Sequence, residues 1–318
     1  MEPKKPNSNN RQKLPAEWKV VTIVVIALAF TELLLSRTEK SLSKDVAHLA
    51  SFDSIIHRLS SSPPDVKRIL FVGNSLVREG IRPDAIAESV PKERMSPFAI
   101  ERIHPDNTAL SEWYYAIDRF VLEPHRKIDV IVIGFQGGHL RDAPSRHLER
   151  LRRYYCGRNQ TLSLLTYDIN SFEGLAYFTI NGSSSAICNR DRVERKVLSE
   201  LIPNYQEGIQ QLNRNQPKLK VSESEVSYRR LRDLIHRLQS QQIAVVLAEI
   251  PVPEPIPIDQ ELRSLAAEFS VQLIDCQALA PLPIGSYPDG LHMNSEAADL
   301  YSRYLASQLN WKRLNQPR

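Results

Sequence analysis

A serine, an aspartate and a histidine in this chain stand where they could form a nucleophilic catalytic triad. Ser75 ends the sequence Gly73-Asn74-Ser75, which follows a short apolar run typical of a buried strand. Asp289 and His292 lie three residues apart in a polar segment before the last amphipathic pattern. In a serine-type site the imidazole takes the hydroxyl proton, the carboxylate orients the imidazole, and the hydroxyl oxygen attacks an ester carbonyl. These residue types therefore predict acyl transfer through Ser75, His292 and Asp289.

Each of the three residues also has an ordinary structural interpretation. Ser75 could be a helix N-cap, Asp289 a turn residue beside Pro288 and Gly290, and His292 a satisfied histidine at an interface. Both short motifs are common enough by chance that the prediction depends on their placement. A serine at a strand end, paired with an Asp-x-x-His loop before a helix, favours catalysis.

The segments around these residues alternate between apolar runs of strand length and amphipathic patterns of helix length. The predicted strands are 68–73, 98–103, 128–134, 243–250 and 271–274. Most of them are continuous apolar runs, which indicates strands buried on both faces of a parallel sheet. The predicted helices between and after them are 110–122, 228–239, 258–269 and 295–309. This order predicts a three-layer α/β/α sandwich with a mostly parallel sheet, in which sites form beyond the carboxyl ends of the strands.

Shifts in composition predict how the chain is organised. We expect a basic tail at 1–17, a transmembrane anchor at 18–36, a helical stalk and linker at 37–65, and an α/β domain at 66–318. The linker ends in a Ser/Pro cluster at 60–64. At about 156–221 glycines, serines and a Gln/Asn-rich stretch interrupt the strand and helix pattern. We interpret this segment as an insertion that caps the site or binds a partner.

The apolar segment at 18–35 admits three interpretations: an uncleaved anchor, a cleaved signal peptide, or a buried helix of a soluble protein. It has no charge between Val20 and Phe30, and about 20 such residues are needed to cross the hydrocarbon core. No small-x-small cleavage pattern follows it, and charges flank it, so an anchor is favoured. Because basic residues precede it, the N-terminus is expected in the cytoplasm and the α/β domain outside, on the periplasmic side in a bacterium.

Composition excludes some classes of function. At 318 residues, with 25% charged and 42% hydrophobic, the chain is a folded protein rather than a disordered or fibrous one. Most of the formal charge of +4 lies in the tail, so nucleic-acid binding is not expected. No spacing resembles a zinc site, and we expect no metal and no cofactor. The three cysteines leave two alternatives open: a Cys156–Cys188 disulfide with Cys276 unpaired, or three free thiols.

Two motifs resemble blocks of a known superfamily. Gly73-Asn74-Ser75 is similar to the first block of the SGNH (GDSL-like) hydrolases and acyltransferases, with Asn74 where Asp usually stands, and the run from Asp289 to Asn294 resembles the last block. The resemblance covers about 66–309 and implies an SGNH/flavodoxin-like fold in which Ser75, His292 and Asp289 are the triad. The anchored layout, with the sequence Pro105-Asp106-Asn107-Thr108, is similar to the membrane-anchored extracytoplasmic branch that includes alginate O-acetylation proteins.

The resemblance also implies an oxyanion hole with three hydrogen-bond donors. The first is the backbone N–H of Ser75, and the second falls near Asn107, whose backbone N–H can donate. The family has an Asn side chain after the third strand, where this chain reads Gln136-Gly137-Gly138. Gln136 is the expected substitute, the alternative being an ordinary loop amide. His139, after the same strand, is the nearest alternative to His292 as the catalytic histidine and could line the pocket.

The expected function is that of a membrane-anchored serine-type acyl esterase or O-acyltransferase acting on a cell-surface glycan. The alternative is a catalytically inactive SGNH-fold module for binding or assembly in the cell envelope, which the missing Asn block motivates. The expected partners are an acylated glycan or other envelope polymer, the membrane through the N-terminal helix, and a membrane protein that donates the acyl group.

Overall fold

The computed structural model places five parallel strands at the centre of the protein. It describes residues 16–90, 97–145, 147–157, 159–205, 208, 226–254, 256–276, 279 and 282–311. The predicted basic tail therefore lies almost entirely outside the described residues, as do 209–221 of the predicted insertion. The strands are β1 (Lys67–Val72), β2 (Phe98–Ile103), β3 (Val130–Phe135), β4 (Ala244–Glu249) and β5 (Gln272–Ile274).

The strand order in the sheet is β2-β1-β3-β4-β5, and every neighbouring pair is parallel. This is the flavodoxin-like order of a doubly wound sheet. The order reverses between β1 and β3, so a crevice opens beyond the carboxyl ends of those two strands. Ser75 follows β1 and Gln136 follows β3, so both lie at this switch point.

Helices cover both faces of the sheet. Before the insertion they are α1 (Ala16–Leu42), α2 (Lys44–Ser60), α3 (Ser75–Gly80), α4 (Pro83–Ser89) and α5 (Leu110–Ile117), the last continued by a π-helical segment (Asp118–Leu122). After it they are α11 (Arg229–Ser240), α12 (Gln260–Glu268) and α13 (Ser295–Gln308). The predicted α/β fold is confirmed, and the ends of all five strands lie within two residues of their predicted positions.

Side chains of alternate strand residues pack on opposite faces, as the strand period requires. On one face Leu70, Ile131 and Leu247 join a core with α2, α5 and α11. On the other face Phe71 and Val132 join a second core with α3, α4 and α13. Two separate cores divided by a sheet make the three layers of the predicted sandwich.

The two N-terminal helices differ sharply in burial. α1 contains the candidate membrane span Glu17–Leu42, whose most apolar stretch has no buried side chain among the described residues. α2, which belongs to the predicted stalk, buries its apolar stripe in the first core, including Phe52, Ile56 and Leu59. The stalk helix therefore packs on the sheet, while the division of the chain into segments stays a prediction.

The predicted insertion contains helices where the sequence pattern indicated only an interruption. A short helix α6 (Leu148–Arg150) and a π-helical turn (Leu151–Tyr155) lead into it. Within it lie α7 (Thr161–Tyr167), α8 (Phe172–Asn181), α9 (Ser185–Cys188) and α10 (Arg190–Leu201). Cys156, Cys188 and Cys276 are all buried thiols. Of the two cysteine alternatives, the structure has the thiols and lacks the Cys156–Cys188 disulfide.

Candidate active site

The chain turns sharply between β1 and α3 and presents Ser75 at the carboxyl end of the sheet. Gly73 allows this turn because a Cβ there would lie 2.1 Å from Cγ2 of Val77 and 2.8 Å from the carbonyl oxygen of Gly134. Asn74 is the N-cap of α3, and its Oδ1 accepts a 3.0 Å hydrogen bond from the N–H of Leu76. The N-cap is therefore Asn74, and Ser75 begins the helix with its side chain available for other contacts.

The loop before α13 brings Asp289 and His292 to the same place. Gly290 has a φ of +81°, and its N–H closes a turn onto the carbonyl of Tyr287 at 2.9 Å. Asn294 caps α13 by accepting from the N–H of Ala297 at 2.9 Å. Between them Met293 is buried in the core that also contains Leu76 and Val77 of α3. Burial of Met293 against α3 fixes the position of the preceding His292.

The three predicted triad side chains are hydrogen-bonded in series. His292 Nε2 lies 2.8 Å from Ser75 Oγ, and His292 Nδ1 lies 2.6 Å from Asp289 Oδ2. The other oxygen, Asp289 Oδ1, accepts from the backbone N–H groups of Leu291 at 3.0 Å and His292 at 2.8 Å. An imidazole that donates from Nδ1 to a carboxylate has a lone pair on Nε2, which can accept the serine proton.

The electrostatics of Asp289 suit the orienting role. Burial acts to raise its pKa, but the hydrogen bonds from His292 and Leu291 outweigh it, so the pKa of Asp289 is lowered from its ordinary value. The carboxylate is therefore ionised throughout the neutral range. An ionised partner stabilises the imidazolium that forms when His292 takes a proton.

The predicted oxyanion residues lie in the loops around this triad. As the first residue of α3, Ser75 has a backbone N–H that no intrahelical carbonyl can satisfy. Asn107 is exposed with a φ of +54°, in the loop after β2. Gln136 directly follows β3 and is partly buried, and its backbone N–H donates to His139 Nδ1 at 3.3 Å. The role of the Gln136 amide side chain as an oxyanion donor stays a prediction.

His139, the rival histidine, has a different setting from His292. Its ring lies edge-on to Trp113, with ring centroids 6.1 Å apart. Burial lowers the pKa of His139 to about 4, so the ring is neutral. Its Nδ1 accepts from the Gln136 backbone, which holds the turn after β3. The geometry therefore assigns His139 to packing and loop support.

Sequence reasoning missed a cluster of charged residues beside the triad. Arg78, one helical turn after Ser75, binds Glu79 at 2.7 Å and also pairs with Asp106. The N–H of Asp106 donates to Asp45 Oδ1 of α2 at 2.9 Å. Burial is the main cause that raises the pKa of Asp106, and His292 is near enough to act on it in the opposite sense. Two signals for this cluster were present in the sequence, namely the proximity of Arg78 to Ser75 and the motif that contains Asp106.

A polar groove leads from this cluster along the protein surface. A cavity of about 420 Å³ is lined by residues that include Arg78, Glu79 and Asp106. A second cavity of about 700 Å³ shares Lys44, Asp45 and Asp106 with it and extends to α10 of the predicted insertion. Its lining contains Asn107 and several basic side chains, namely Lys40, Arg150, Arg192, Arg195 and Lys196. Together the two cavities form an open groove suited to a polar ligand.

The described part of the chain offers no set of side chains that could serve as metal ligands. No group of three His, Cys, Asp or Glu side chains there could hold a metal ion. The arrangement of Ser75, His292 and Asp289 needs none, because it can activate a hydroxyl nucleophile by proton transfer alone.

Comparison with known proteins gives matches at the level of structure only. No family model matches the chain, and no curated protein matches its sequence. The structure is similar to that of Axe2, an acetylxylan esterase from Geobacillus stearothermophilus, at 11% identity and a TM-score of 0.38, covering 78% of this chain and 98% of that one. It is similar to a lipase/acylhydrolase from Enterococcus faecalis at 12% identity and a TM-score of 0.38, covering 79% and 98% of the two chains. The acetyl xylan esterase AlAXEase is similar at 13% identity and a TM-score of 0.34, over 76% and 96%.

Proposed function

We propose that this chain is a membrane-anchored, SGNH-like serine esterase or O-acyltransferase that acts on an acylated glycan outside the cytoplasm. The observation that carries the proposal is the series of contacts from Ser75 Oγ to His292 Nε2 at 2.8 Å and from His292 Nδ1 to Asp289 Oδ2 at 2.6 Å. An ordinary structural role can explain each of the three residues when it is considered alone. Such roles do not explain why residues from opposite ends of the domain meet with this order and spacing.

The proposed reaction has two half-reactions. His292 Nε2 takes the Ser75 proton as Oγ attacks the ester carbonyl, and the negative oxygen is stabilised by the backbone N–H groups of Ser75 and Asn107 and by the Gln136 amide. The tetrahedral intermediate then expels the alcohol, which takes the proton from His292. An acceptor hydroxyl is activated by the same imidazole, attacks the acyl-serine and releases Ser75. Asp289 stays ionised and holds the ring in place throughout.

The acceptor hydroxyl decides between hydrolysis and transfer. Water gives an esterase, and a sugar hydroxyl seated beside Ser75 gives an O-acyltransferase. The groove that starts at Asp106 and continues to α10 supports an extended polar acceptor, since most of its lining residues are charged or polar. For transfer, we propose that a membrane protein supplies the acyl group to Ser75.

The anchor is proposed from the length and exposure of α1. Among the described residues, no side chain in the most apolar stretch of this helix is buried, which an apolar helix in water does not sustain. A bilayer would cover it, with the basic residues before it on the cytoplasmic side and the triad on the other.

Covalent labelling tests the proposed nucleophile. The full-length chain in detergent is treated with a fluorophosphonate probe, and the modified peptide is located by mass spectrometry. We expect modification of Ser75 in the parent chain and loss of labelling in Ser75→Ala, with Ser89→Ala as a control serine on α4. Absence of labelling at Ser75, in a chain with an unchanged circular dichroism spectrum, would favour the inactive binding module instead.

A further inference from the structure

The apolar helix α1 and the predicted insertion meet at a partly buried acidic side chain. Glu32 of α1 accepts hydrogen bonds from Ser184 Oγ at 2.7 Å and from the N–H of Ala186 at 3.1 Å. The N–H of Ser185 also donates to it. The charge that interrupts the apolar segment is therefore satisfied by the start of α9, which explains how a carboxylate is tolerated there.

The same face of α1 stays in contact with the insertion further along the helix. Leu35, three residues on, lines a small apolar cavity of about 360 Å³ with Val193 and Val197 of α10. Glu39 accepts a 3.5 Å hydrogen bond from Nδ2 of Asn189, the N-cap of α10, and pairs at 2.7 Å with Arg153, which lies just before the insertion. Contacts at three successive levels of one helix face fix α9 and α10 alongside α1, rather than at its end.

These contacts set the height of the insertion relative to a bilayer. An α-helix rises about 1.5 Å per residue, so Glu32 lies about 6 Å inside the end of the predicted anchor at residue 36. The residues that bind Glu32 must reach the same depth. Depths of about 5–10 Å are those at which amphipathic helices lie between headgroups and acyl chains.

Apolar side chains are exposed on the elements next to that contact. Phe172 and Ile180 of α8 are 86% and 67% exposed, and Leu175 of α8 and Ile187 of α9 are also exposed. On α8 the three residues follow the helical spacing that forms one stripe. α8 ends at Asn181, three residues before Ser184, so the stripe leads directly to the Glu32 contact. We call Phe172, Leu175, Ile180 and Ile187 the insertion patch.

We propose that the insertion patch lies on the outer surface of the bilayer and holds the domain against it. The proposal rests on the membrane anchor of the proposed function. Its basis is the continuity between the exposed apolar part of α1 and the patch, joined at Glu32. An apolar stripe of this exposure is unusual on a surface that faces only water. The triad and the groove to α10 would then be held near the membrane surface.

Depth-dependent fluorescence quenching tests this proposal. Full-length variants Phe172→Cys and Ile180→Cys are labelled with a fluorophore and reconstituted into phosphatidylcholine vesicles that contain a doxyl-labelled lipid. The three native cysteines are buried, and the parent chain measures their background labelling. We expect the doxyl lipid to reduce the fluorescence of both labels about twofold, as for groups at the headgroup boundary. Glu88→Cys, on α4 at the opposite face of the sheet, is the matched exposed control and should be unaffected.

A fourth label separates this proposal from the anchor. Val25→Cys reports on α1 directly. Quenching at position 25 without quenching at 172 and 180 would overturn the docking of the patch and leave the anchor in place. No quenching at position 25 would overturn the anchor and the docking together. Labels at 172 and 180 that are shielded from both the doxyl lipid and aqueous iodide would show that the patch packs against protein, which also overturns the proposal.

Discussion

The side chain of Asn74 joins the loop after β1 to the loop after β2. Its Nδ2 donates a 3.0 Å hydrogen bond to the carbonyl oxygen of Thr108, and its Oδ1 caps α3 through the N–H of Leu76. Thr108 is held in turn, because its hydroxyl donates to the carbonyl of Pro105 at 2.7 Å. One buried amide therefore couples the turn that carries Ser75 to the loop that carries Asn107, the predicted oxyanion residue.

Two substitutions at Asn74 should separate these two hydrogen bonds. Asn74→Asp keeps the cap but leaves the buried Thr108 carbonyl without a donor, which should lower the free energy of unfolding by about 1–3 kcal/mol. Asn74→Ala also removes the cap and should cost about 1 kcal/mol more. Urea unfolding of the detergent-solubilised chain measures both values. Equal stabilities of Asn74→Asp and the parent chain would show that the bond to Thr108 contributes nothing.

Asp289→Asn should impair catalysis while leaving the fold intact. The amide keeps an oxygen for the backbone N–H groups of Leu291 and His292, but its NH₂ group favours the wrong tautomer of the imidazole. We expect kcat for aryl-acetate hydrolysis to fall by about 10²–10⁴, with little change in KM. Asp299→Asn, an exposed position on α13, is the control and should behave like the parent chain. A kcat within twofold of the parent value for Asp289→Asn would remove Asp289 from the mechanism.

Gln136 should act in the transition state if its amide is the third oxyanion donor. Gln136→Ala is then expected to lower kcat by about 10²–10³ without raising KM. Gln136→Glu has nearly the same shape but offers no N–H donor at neutral pH, so it should lose as much activity as the alanine variant. Steady-state kinetics on an aryl acetate distinguishes the outcomes. Full activity in both variants would mean that Gln136 is an ordinary loop amide.

The stability of the domain should fall as the pH is lowered from about 6.5 to 3, because two partly buried histidines resist protonation. The rings of His48 and His104 stack with their centroids 3.8 Å apart, and the backbone N–H of His104 donates to His48 Nε2 at 3.1 Å. Burial, reinforced by Arg78 and Arg102 and opposed by Asp45, lowers the pKa of His48 to about 4. Burial and the neighbouring His48 lower the pKa of His104 to about 3.

The sign of this pH effect follows from proton binding. The unfolded chain protonates both rings near their ordinary value of 6.5, whereas the folded protein takes up these protons only near pH 3–4. Unfolding therefore binds protons in this window and is favoured by acid. The melting temperature between pH 7 and pH 4 measures the effect, and the double variant His48→Gln, His104→Gln should show a shallower decline. The same slope in both proteins would assign the acid sensitivity to other groups.

Much of the fold could be predicted because its signals are local. Apolar runs of strand length, most of them continuous, indicated all five strands, and β1 and β3 are indeed buried along almost their whole length. The helices of the predicted insertion could not be recognised in the same way. α8 and α10 bury few of their own side chains, and the glycines and serines around them indicated an interruption rather than helices. α2 was assigned to a stalk, since its pattern shows an amphipathic helix but not the surface on which it packs.

The sequence by itself determined the residue types of the candidate site and the parallel sheet that presents them. Both follow from short-range patterns: a serine after a buried strand, an Asp-x-x-His before a helix, and apolar runs of strand length. Only the tertiary structure decided that Ser75 and His292, 217 residues apart, come within 2.8 Å of each other, that Asp106 and Arg78 stand beside them, and that Glu32 joins α1 to the insertion. The physical reason is that such contacts depend on how distant backbone segments pack in three dimensions, and no local pattern of residues specifies that packing.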